Sequence, residues 1–242
     1  MKKLALILLA VALIVTFASC SKSSSSAAPS TSASAASTVP AADTSSTTPS
    51  TGTVDSEYDP NKTVDFTQQT SEENRVVTIG TIDKSLYKQP VFVTSFGQST
   101  DAAMLDTVMK RIGVDYVYNA TATADTIKGY KTIIIAVGAS TKGLGAAGIS
   151  EADETARAKA IMEYINNNDV EVICCHIGGS ARRGTLSDLY SDMVMEKASL
   201  IVLKEDANFD YKFTKYAEEH NKPISLIYAT KDALTVFTEI FQ

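Results

Sequence analysis

The sequence predicts an α/β fold, a three-layer, doubly wound sandwich around a mostly parallel sheet of about five or six strands. Short apolar runs recur from Val91 onward, and they are continuously apolar, as strands covered on both faces are. Stretches with helical spacing separate these runs, which favours parallel strands joined by right-handed helical crossovers.

The predicted strands are Val91–Phe96, Tyr116–Tyr118, Thr132–Val137, Val170–Cys175, Leu200–Leu203 and Ile224–Tyr228. The short connection from Asn119 to Gly129 favours a flavodoxin-like strand order over the longer Rossmann-like order. In either order the ligand crevice lies at the carboxyl ends of the strands, near the point where the winding reverses. The loops after the first, third and fourth predicted strands are therefore the candidate site.

The helices follow from apolar residues spaced three or four positions apart. The first predicted helix runs from a Ser99 cap to Gly113, and the second begins after Ser150. Later helices are predicted around Leu189, around Phe213 and from Ala233 to the end of the chain.

The first 19 residues have the pattern of an export signal. Lys2 and Lys3 precede an apolar run, Leu4–Val15, that is too short to span a membrane. The run leads into Phe17-Ala18-Ser19-Cys20, which resembles a bacterial lipobox, although Phe17 departs from the usual leucine. We expect Cys20 to carry lipid such as palmitate and to anchor the chain at a membrane, outside the cytoplasm. The alternative is an ordinary signal peptide with an incidental cysteine.

Residues 20–74 are predicted to form a flexible linker, and residues 75–242 a single domain. The linker is rich in Ser, Thr, Ala and Pro and then turns acidic, without the periodicity that buries a core. The chain has 22 Lys and Arg against 28 Asp and Glu, a net charge of −6, and no basic stripe. This balance argues against nucleic-acid binding.

The remaining cysteines, Cys174 and Cys175, are neighbours in a predicted strand and point to opposite faces, so they do not readily pair. They are either two small buried residues or a vicinal redox or metal pair. The sequence has no further cysteine or histidine cluster to complete a zinc site, and we expect neither a metal nor a cofactor.

Ser95 and Gln98 follow the first strand and have no capping role, which makes them candidate ligand contacts. Gly138–Gly148, after the third strand, is predicted to be a loop that closes over a small molecule, with Ser140, Lys142 and Gly143 as contacts. Its GxGxxG pattern is a false match to the dinucleotide fingerprint, because it begins too far from the strand.

The segment His176–Thr185, after the fourth strand, indicates an anion site. Gly178 and Gly179 allow a sharp turn, and the pair Arg182 and Arg183 precedes a helix whose Thr185 and Asp188 fit a capping box. Each arginine could instead point to solvent or pair with an acid such as Asp206. His176 is either a ligand-contacting group or a hydrogen-bonded structural residue.

Three segments together resemble an uncharacterised bacterial family of small exported α/β domains. They are Thr94–Ala102, Gly143–Ile149 and His176–Gly184, and the resemblance covers Val91 to Phe241. Because the family's function is unassigned, the resemblance implies the fold and the position of the site but no reaction.

The sequence supports three functions and favours the first. The first is a lipid-anchored protein that binds a small anion through Arg182, Arg183 and Lys142 and serves a membrane transporter or a sensor. The second is a hydrolase of a small ester or phosphorylated compound, with Ser95 or Ser140 as nucleophile and His176 as base. In that enzyme Asp101 or Asp206 would orient His176. The third is a module that recognises a carboxylate on an envelope protein.

Overall fold

A computed structural model of the chain describes residues 67–242. The described strands are β1 Val76–Ile79, β2 Val91–Phe96, β3 Tyr116–Tyr118, β4 Thr132–Val137, β5 Glu171–His176, β6 Leu200–Lys204 and β7 Ile224–Ile227. The α-helices are α1 Asp101–Ile112, α2 Thr141–Ala147, α3 Glu151–Asn166, α4 Thr185–Lys197, α5 Lys212–Glu219 and α6 Ala233–Phe241. The predicted alternation of strands and helices is confirmed.

The strands form one seven-stranded sheet in the order β1-β7-β6-β5-β4-β2-β3. The strands from β2 to β7 are parallel, and β1 pairs antiparallel with β7. The fold belongs to the broad Rossmann-like α/β class. Its parallel strands lie in the order β3-β2-β4-β5-β6-β7, which is the predicted flavodoxin-like order, and the winding reverses between β2 and β4. The predicted count of five or six strands is too low, because β1 was missed. Its short sequence, Val-Val-Thr-Ile, is half-buried or exposed and lacks the continuous apolar character of the parallel strands.

Two apolar layers cover the sheet. Helices α3, α4 and α5 pack on one face, and α1 and α6 pack on the other. Successive residues of a strand point to opposite faces, so Cys174 of β5 lies in the first layer and Cys175 in the second. Both thiols are free and fully buried, and burial raises their pKa values. Within residues 67–242 no cluster of His, Cys, Asp or Glu is suited to holding a metal ion.

Residues 67–74, predicted as the end of the linker, contact the domain. The amides of Gln69 and Thr70 donate to the two carboxylate oxygens of Glu205, at 2.6 and 2.7 Å, and the Thr70 hydroxyl donates to the same group. The Thr67 amide donates to the Tyr211 hydroxyl at 2.8 Å. These polar contacts precede residue 75, and no hydrophobic pattern in the sequence marks them.

The predicted signal peptide, the lipidation of Cys20 and the linker up to residue 66 lie outside the described residues. In the described part, no helix has the length and apolar character needed to cross a membrane.

Candidate functional site

The loops after β2 and β4 meet at the point where the winding reverses, where doubly wound folds commonly bind ligands. Here the two loops are joined by backbone hydrogen bonds. The Gly138 amide donates to the Phe96 carbonyl at 3.0 Å, and the Ser140 amide donates to the Gly97 carbonyl at 2.8 Å. Gln98 and Ala139 form an isolated β-bridge between them. These bonds close the crevice between the two strands.

A buried carboxylate accepts a hydrogen bond from a backbone amide of the loop after β2. Glu154, on α3, is fully buried and accepts a hydrogen bond from the Gly97 amide at 2.7 Å. Arg157 forms an ion pair with Glu154 at 2.7 Å, and the Gln98 side-chain amide donates to the same carboxylate at 3.2 Å. Gln98, predicted as a ligand contact, therefore binds the protein itself. A carboxylate of the chain holds the backbone amide that an incoming anion would otherwise use.

The glycine-rich segment after β4 is not a loop. Residues Thr141–Ala147 form α2, and the Ser140 hydroxyl caps this helix by accepting from the Gly143 amide at 3.0 Å. Gly143 packs against the preceding loop so closely that an added Cβ would lie 1.9 Å from the Gln98 carbonyl oxygen. The prediction of a closing loop is wrong, because these glycines serve helix packing and a helix end. Lys142 lies exposed on α2.

Arg183 is committed to internal contacts. Its side chain is fully buried and forms ion pairs with Asp188 and Asp210, each at 2.7 Å, and it donates to the Ala207 carbonyl. Burial lowers the pKa of Arg183, but the hydrogen bonds with the two carboxylates outweigh this effect and raise it. The predicted capping box is wrong, because Asp188 faces Arg183 and Gly184 occupies the cap position of α4. We call Arg183, Asp188 and Asp210 the Arg183 cluster.

His176 lies beside the Arg183 cluster, buried among apolar groups. Neither ring nitrogen has a hydrogen-bond partner, and the ring meets the edge of Phe213 at 5.5 Å between centroids. Burial and the neighbouring positive charge of Arg183 lower the pKa of His176 to about 4, so the imidazole is neutral at physiological pH.

The predicted hydrolase arrangement is not assembled. Ser95 pairs with Ala136 on the face covered by α1 and α6, whereas His176 pairs with Leu203 on the opposite face. Since the sheet separates the two side chains, His176 does not activate Ser95. The alternative nucleophile Ser140 caps α2, and the alternative orienting acid Asp206 binds Lys204 at 2.5 Å.

Asp101, at the start of α1, lies in a niche lined by glycine. The residue is 3% exposed, and its Oδ2 atom has no hydrogen-bond partner. A Cβ added to Gly178 would lie 2.6 Å from this oxygen and 2.4 Å from Cγ of Arg182, and one added to Gly138 would lie 3.6 Å from the same oxygen. We call Asp101, Gly138, Gly178 and Arg182 the Asp101 niche.

The niche combines a buried acid that has one unpartnered oxygen with an arginine cation. Burial raises the pKa of Asp101, and this effect exceeds the opposing influence of the Arg182 charge, the Ser99 hydroxyl and the Gly178 amide. Arg182 is half-buried and forms no ion pair within residues 67–242. Ser95 Oγ, on the same face of the sheet, is also buried and unpartnered. Gly179, with φ +77°, packs against Lys204 and Asp206 next to the niche.

Sequence reasoning gave Arg182 and Arg183 equal weight and assigned Asp101 mainly to the helix dipole. It missed Glu154 as an internal anion, since its position in the first turn of α3 already explains an acid. The Glu154–Arg157 spacing was the available signal, because residues three apart are neighbours on a helix.

The fold and this edge define a Rossmann-like α/β domain with a closed crevice and, beside it, a buried carboxyl next to an arginine. Residues 88–241 match the family model described as a domain of unknown function, DUF6305, and the chain belongs to that family. The match covers nearly the same residues as the predicted resemblance to an uncharacterised family. Neither the search of curated proteins nor the search of solved structures found a match.

Proposed function

We propose that this protein is a lipid-anchored, extracytoplasmic binding protein and that a small anion binds at the Asp101 niche. The observation that carries the proposal is the Asp101 carboxyl, which is 3% exposed, lacks a partner for Oδ2 and lies beside Arg182. A buried carboxyl oxygen without a hydrogen-bond partner destabilises a fold, so its presence calls for a role other than stability. Groups of this kind are concentrated at functional sites.

The chemistry of the niche favours an anionic ligand. Arg182 presents a planar fork that matches a carboxylate or phosphate, and Gly178, which has no side chain, allows Arg182 and the Asp101 carboxyl to approach each other closely. An anion bound at Arg182 would raise the pKa of Asp101 further, because a second negative charge disfavours its ionised form. Ligand binding would then be accompanied by proton uptake and would strengthen as the pH falls. Of the other predicted contacts, Lys142 adds positive charge at the same edge of the sheet.

The test is thermal unfolding of the chain from residue 21 onward, with and without acetate, succinate, phosphate and a nucleotide. A ligand at one hundred times its Kd stabilises the folded state by about 2.7 kcal/mol, which shifts Tm by several degrees. We expect Arg182→Ala to abolish the shift. The matched control is Lys128→Ala, an exposed lysine that pairs with Asp125 before β4, at the other edge of the sheet.

A shift that persists in Arg182→Ala would place the ligand elsewhere. If none of the anions shifts Tm, small-anion binding is excluded at this edge, and a carboxylate on an envelope protein becomes the favoured ligand.

The anchoring proposal rests on the apolar run Leu4–Val15 and on Cys20. Cells that express the full chain should incorporate labelled palmitate into the protein and retain it in the membrane fraction. Cys20→Ser should lose both properties, while Cys174 and Cys175 stay in place as an internal control for other cysteine acylation. Label that remains in Cys20→Ser would overturn the lipobox assignment. Anchoring of this kind would hold the ligand site close to a membrane transporter or sensor.

A further inference from the structure

A second concave surface lies between α1 and α6, on the outer side of the layer that these helices form. It is a groove of about 170 Å³. Its lining residues are Met104, Thr107, Val108, Arg111, Thr230, Lys231 and Leu234. We call it the α1–α6 groove. It shares no residue with the Asp101 niche.

The floor of the groove is apolar, and a flexible side chain lies at its mouth. Val108 is buried at its base, and Met104 is 44% exposed, one of the most exposed large apolar side chains among residues 67–242. Methionine is flexible and polarisable, which suits a surface that repacks around a ligand. An apolar cavity of about 150 Å³ accepts one benzene molecule, so a groove of 170 Å³ is large enough for a single ring.

Two positive charges flank this apolar floor. Arg111 is exposed on α1 and Lys231 is exposed just before α6, and neither forms an ion pair within the described residues. The neighbouring acids already have partners. Asp106 binds Lys110 at 2.7 Å, and Asp232 binds Arg75 at 2.8 Å. The groove therefore presents uncompensated positive charge on both of its walls.

We propose that the α1–α6 groove binds a small aromatic carboxylate. The ring would pack between Met104, Val108 and Leu234, and the carboxylate would lie at the mouth with Arg111 and Lys231. The volume of the groove limits the apolar part of the ligand to a single ring, and the unpaired cations favour a negative charge on it. The assignment is independent of the proposed function of the Asp101 niche.

The test uses the chain from residue 20 with Cys20→Ser and with methionine methyl groups labelled for NMR. Benzoate should shift the Met104 methyl resonance, which Met104→Leu assigns, with a Kd of roughly 1 to 10 mM, the range expected of so small a ligand. Acetate lacks the ring and benzyl alcohol lacks the charge, and each should bind at least roughly tenfold more weakly than benzoate.

Arg111→Gln should weaken benzoate binding about fivefold, because a charge-assisted hydrogen bond is lost. Lys159→Gln is the matched control, since Lys159 is exposed on α3, on the other face of the sheet, and forms no ion pair among the described residues. Arg182→Ala should leave the benzoate-induced shift of the Met104 resonance unchanged, so a failure of the niche and a failure of the groove give different results.

Three outcomes would overturn the proposal. One is a Met104 resonance that does not move with benzoate. Another is benzyl alcohol binding as tightly as benzoate, which would make the groove apolar without selectivity for an anion. The last is benzoate binding that neither Arg111→Gln nor Lys231→Gln weakens, which would indicate adventitious binding only.

Discussion

Arg182 and Arg183 are adjacent in the chain but lie in opposite environments. Arg183 is fully buried, and two aspartates and a backbone carbonyl accept its hydrogen bonds. Arg182 is half-buried without an ion pair in the described part of the chain, and the acid beside it lacks a partner for one oxygen. The Arg183 cluster is a satisfied polar network, whereas the Asp101 niche is an unsatisfied one.

This difference separates residues that stabilise the fold from residues that are available for a ligand. A satisfied buried network strongly resists the loss of one member, because the remaining charges stay buried without compensation. A buried group without a partner destabilises the fold, and a ligand that supplies the partner removes that cost. The same substitution should therefore have a large effect on stability at Arg183 and a small one at Arg182.

The largest effect is expected at Arg183. Arg183→Ala removes the cation that joins Asp188 and Asp210, leaving Asp188 only the longer pair with Lys212 at 3.6 Å, and should lower the free energy of unfolding by about 3 to 5 kcal/mol. Arg182→Ala should change it by less than about 0.5 kcal/mol. Urea unfolding at pH 7 measures both. Equal losses in the two variants would break the distinction between the cluster and the niche.

His176, beside the Arg183 cluster, should make the stability of the protein depend on pH. Its pKa falls from 6.5 in the unfolded chain to about 4 in the folded protein, so between these values the unfolded chain holds a proton that the folded protein lacks. The stability linked to His176 is complete above pH 6.5, and about 3 kcal/mol of it is lost as the pH falls to 4. His176→Leu should remove this part of the pH dependence.

The measurement is the difference in unfolding free energy between wild type and His176→Leu, followed from pH 7 to pH 4. Other titrating groups contribute equally to both proteins and cancel. Parallel profiles would mean that His176 is solvated, contrary to its position beside the Arg183 cluster.

Substitution of two glycines of α2 compares a position that packs against the closed crevice with a position on the open surface. Gly143→Ala places a Cβ 1.9 Å from the Gln98 carbonyl oxygen and should destabilise the protein by about 1 to 3 kcal/mol. Gly145→Ala, in the same helix, meets nothing within 4 Å and should stabilise it by about 0.5 to 1 kcal/mol. Thermal unfolding distinguishes the two. Similar effects would show that α2 does not pack on the Gln98 loop.

A stabilising effect, opposite in sign to the effect at Arg183, is expected at Asp101. Because burial raises the pKa of Asp101 in the folded state, folding favours the protonated form, and this contribution to stability is lost as the pH rises through that pKa. Asp101→Asn has no such loss and should be more stable at pH 7 by on the order of 1 kcal/mol. The advantage should disappear at acidic pH.

Urea unfolding of wild type and Asp101→Asn at pH 7 and pH 3.5 tests this. A variant that is less stable at both values would make Asp101 a structural residue and would remove the main support for the niche.

Most strands could be predicted from the sequence, because long apolar runs such as Thr132–Val137 have few alternatives to a buried strand. The strand β1 could not, since its side chains are partly exposed and its pairing with β7 depends on residues far along the chain. Helix α2 was missed for a different reason. Glycine has a low helix propensity and therefore indicates a loop, but the close packing of α2 on Gln98 requires a glycine at position 143.

The sequence predicts a site at the carboxyl ends of the strands, but it gives the two adjacent arginines the same role. Nothing local distinguishes Arg182 from Arg183, because the partners of Arg183 include Asp210, which lies 27 residues further along the chain. The same holds for Glu154, which meets the Gly97 amide across a separation of 57 residues. Such contacts depend on tertiary packing, which residue types and spacing do not encode.

The attachment of Thr67–Thr70 to the domain has a mechanical consequence. Tension along the chain from its N-terminal side would reach the hydrogen bonds at Glu205 and Tyr211 before it reached β1. Bonds that share a load in parallel resist it better than bonds that break one at a time. The edge strand β1 would thus stay paired with β7 while the chain is pulled from its N-terminal side.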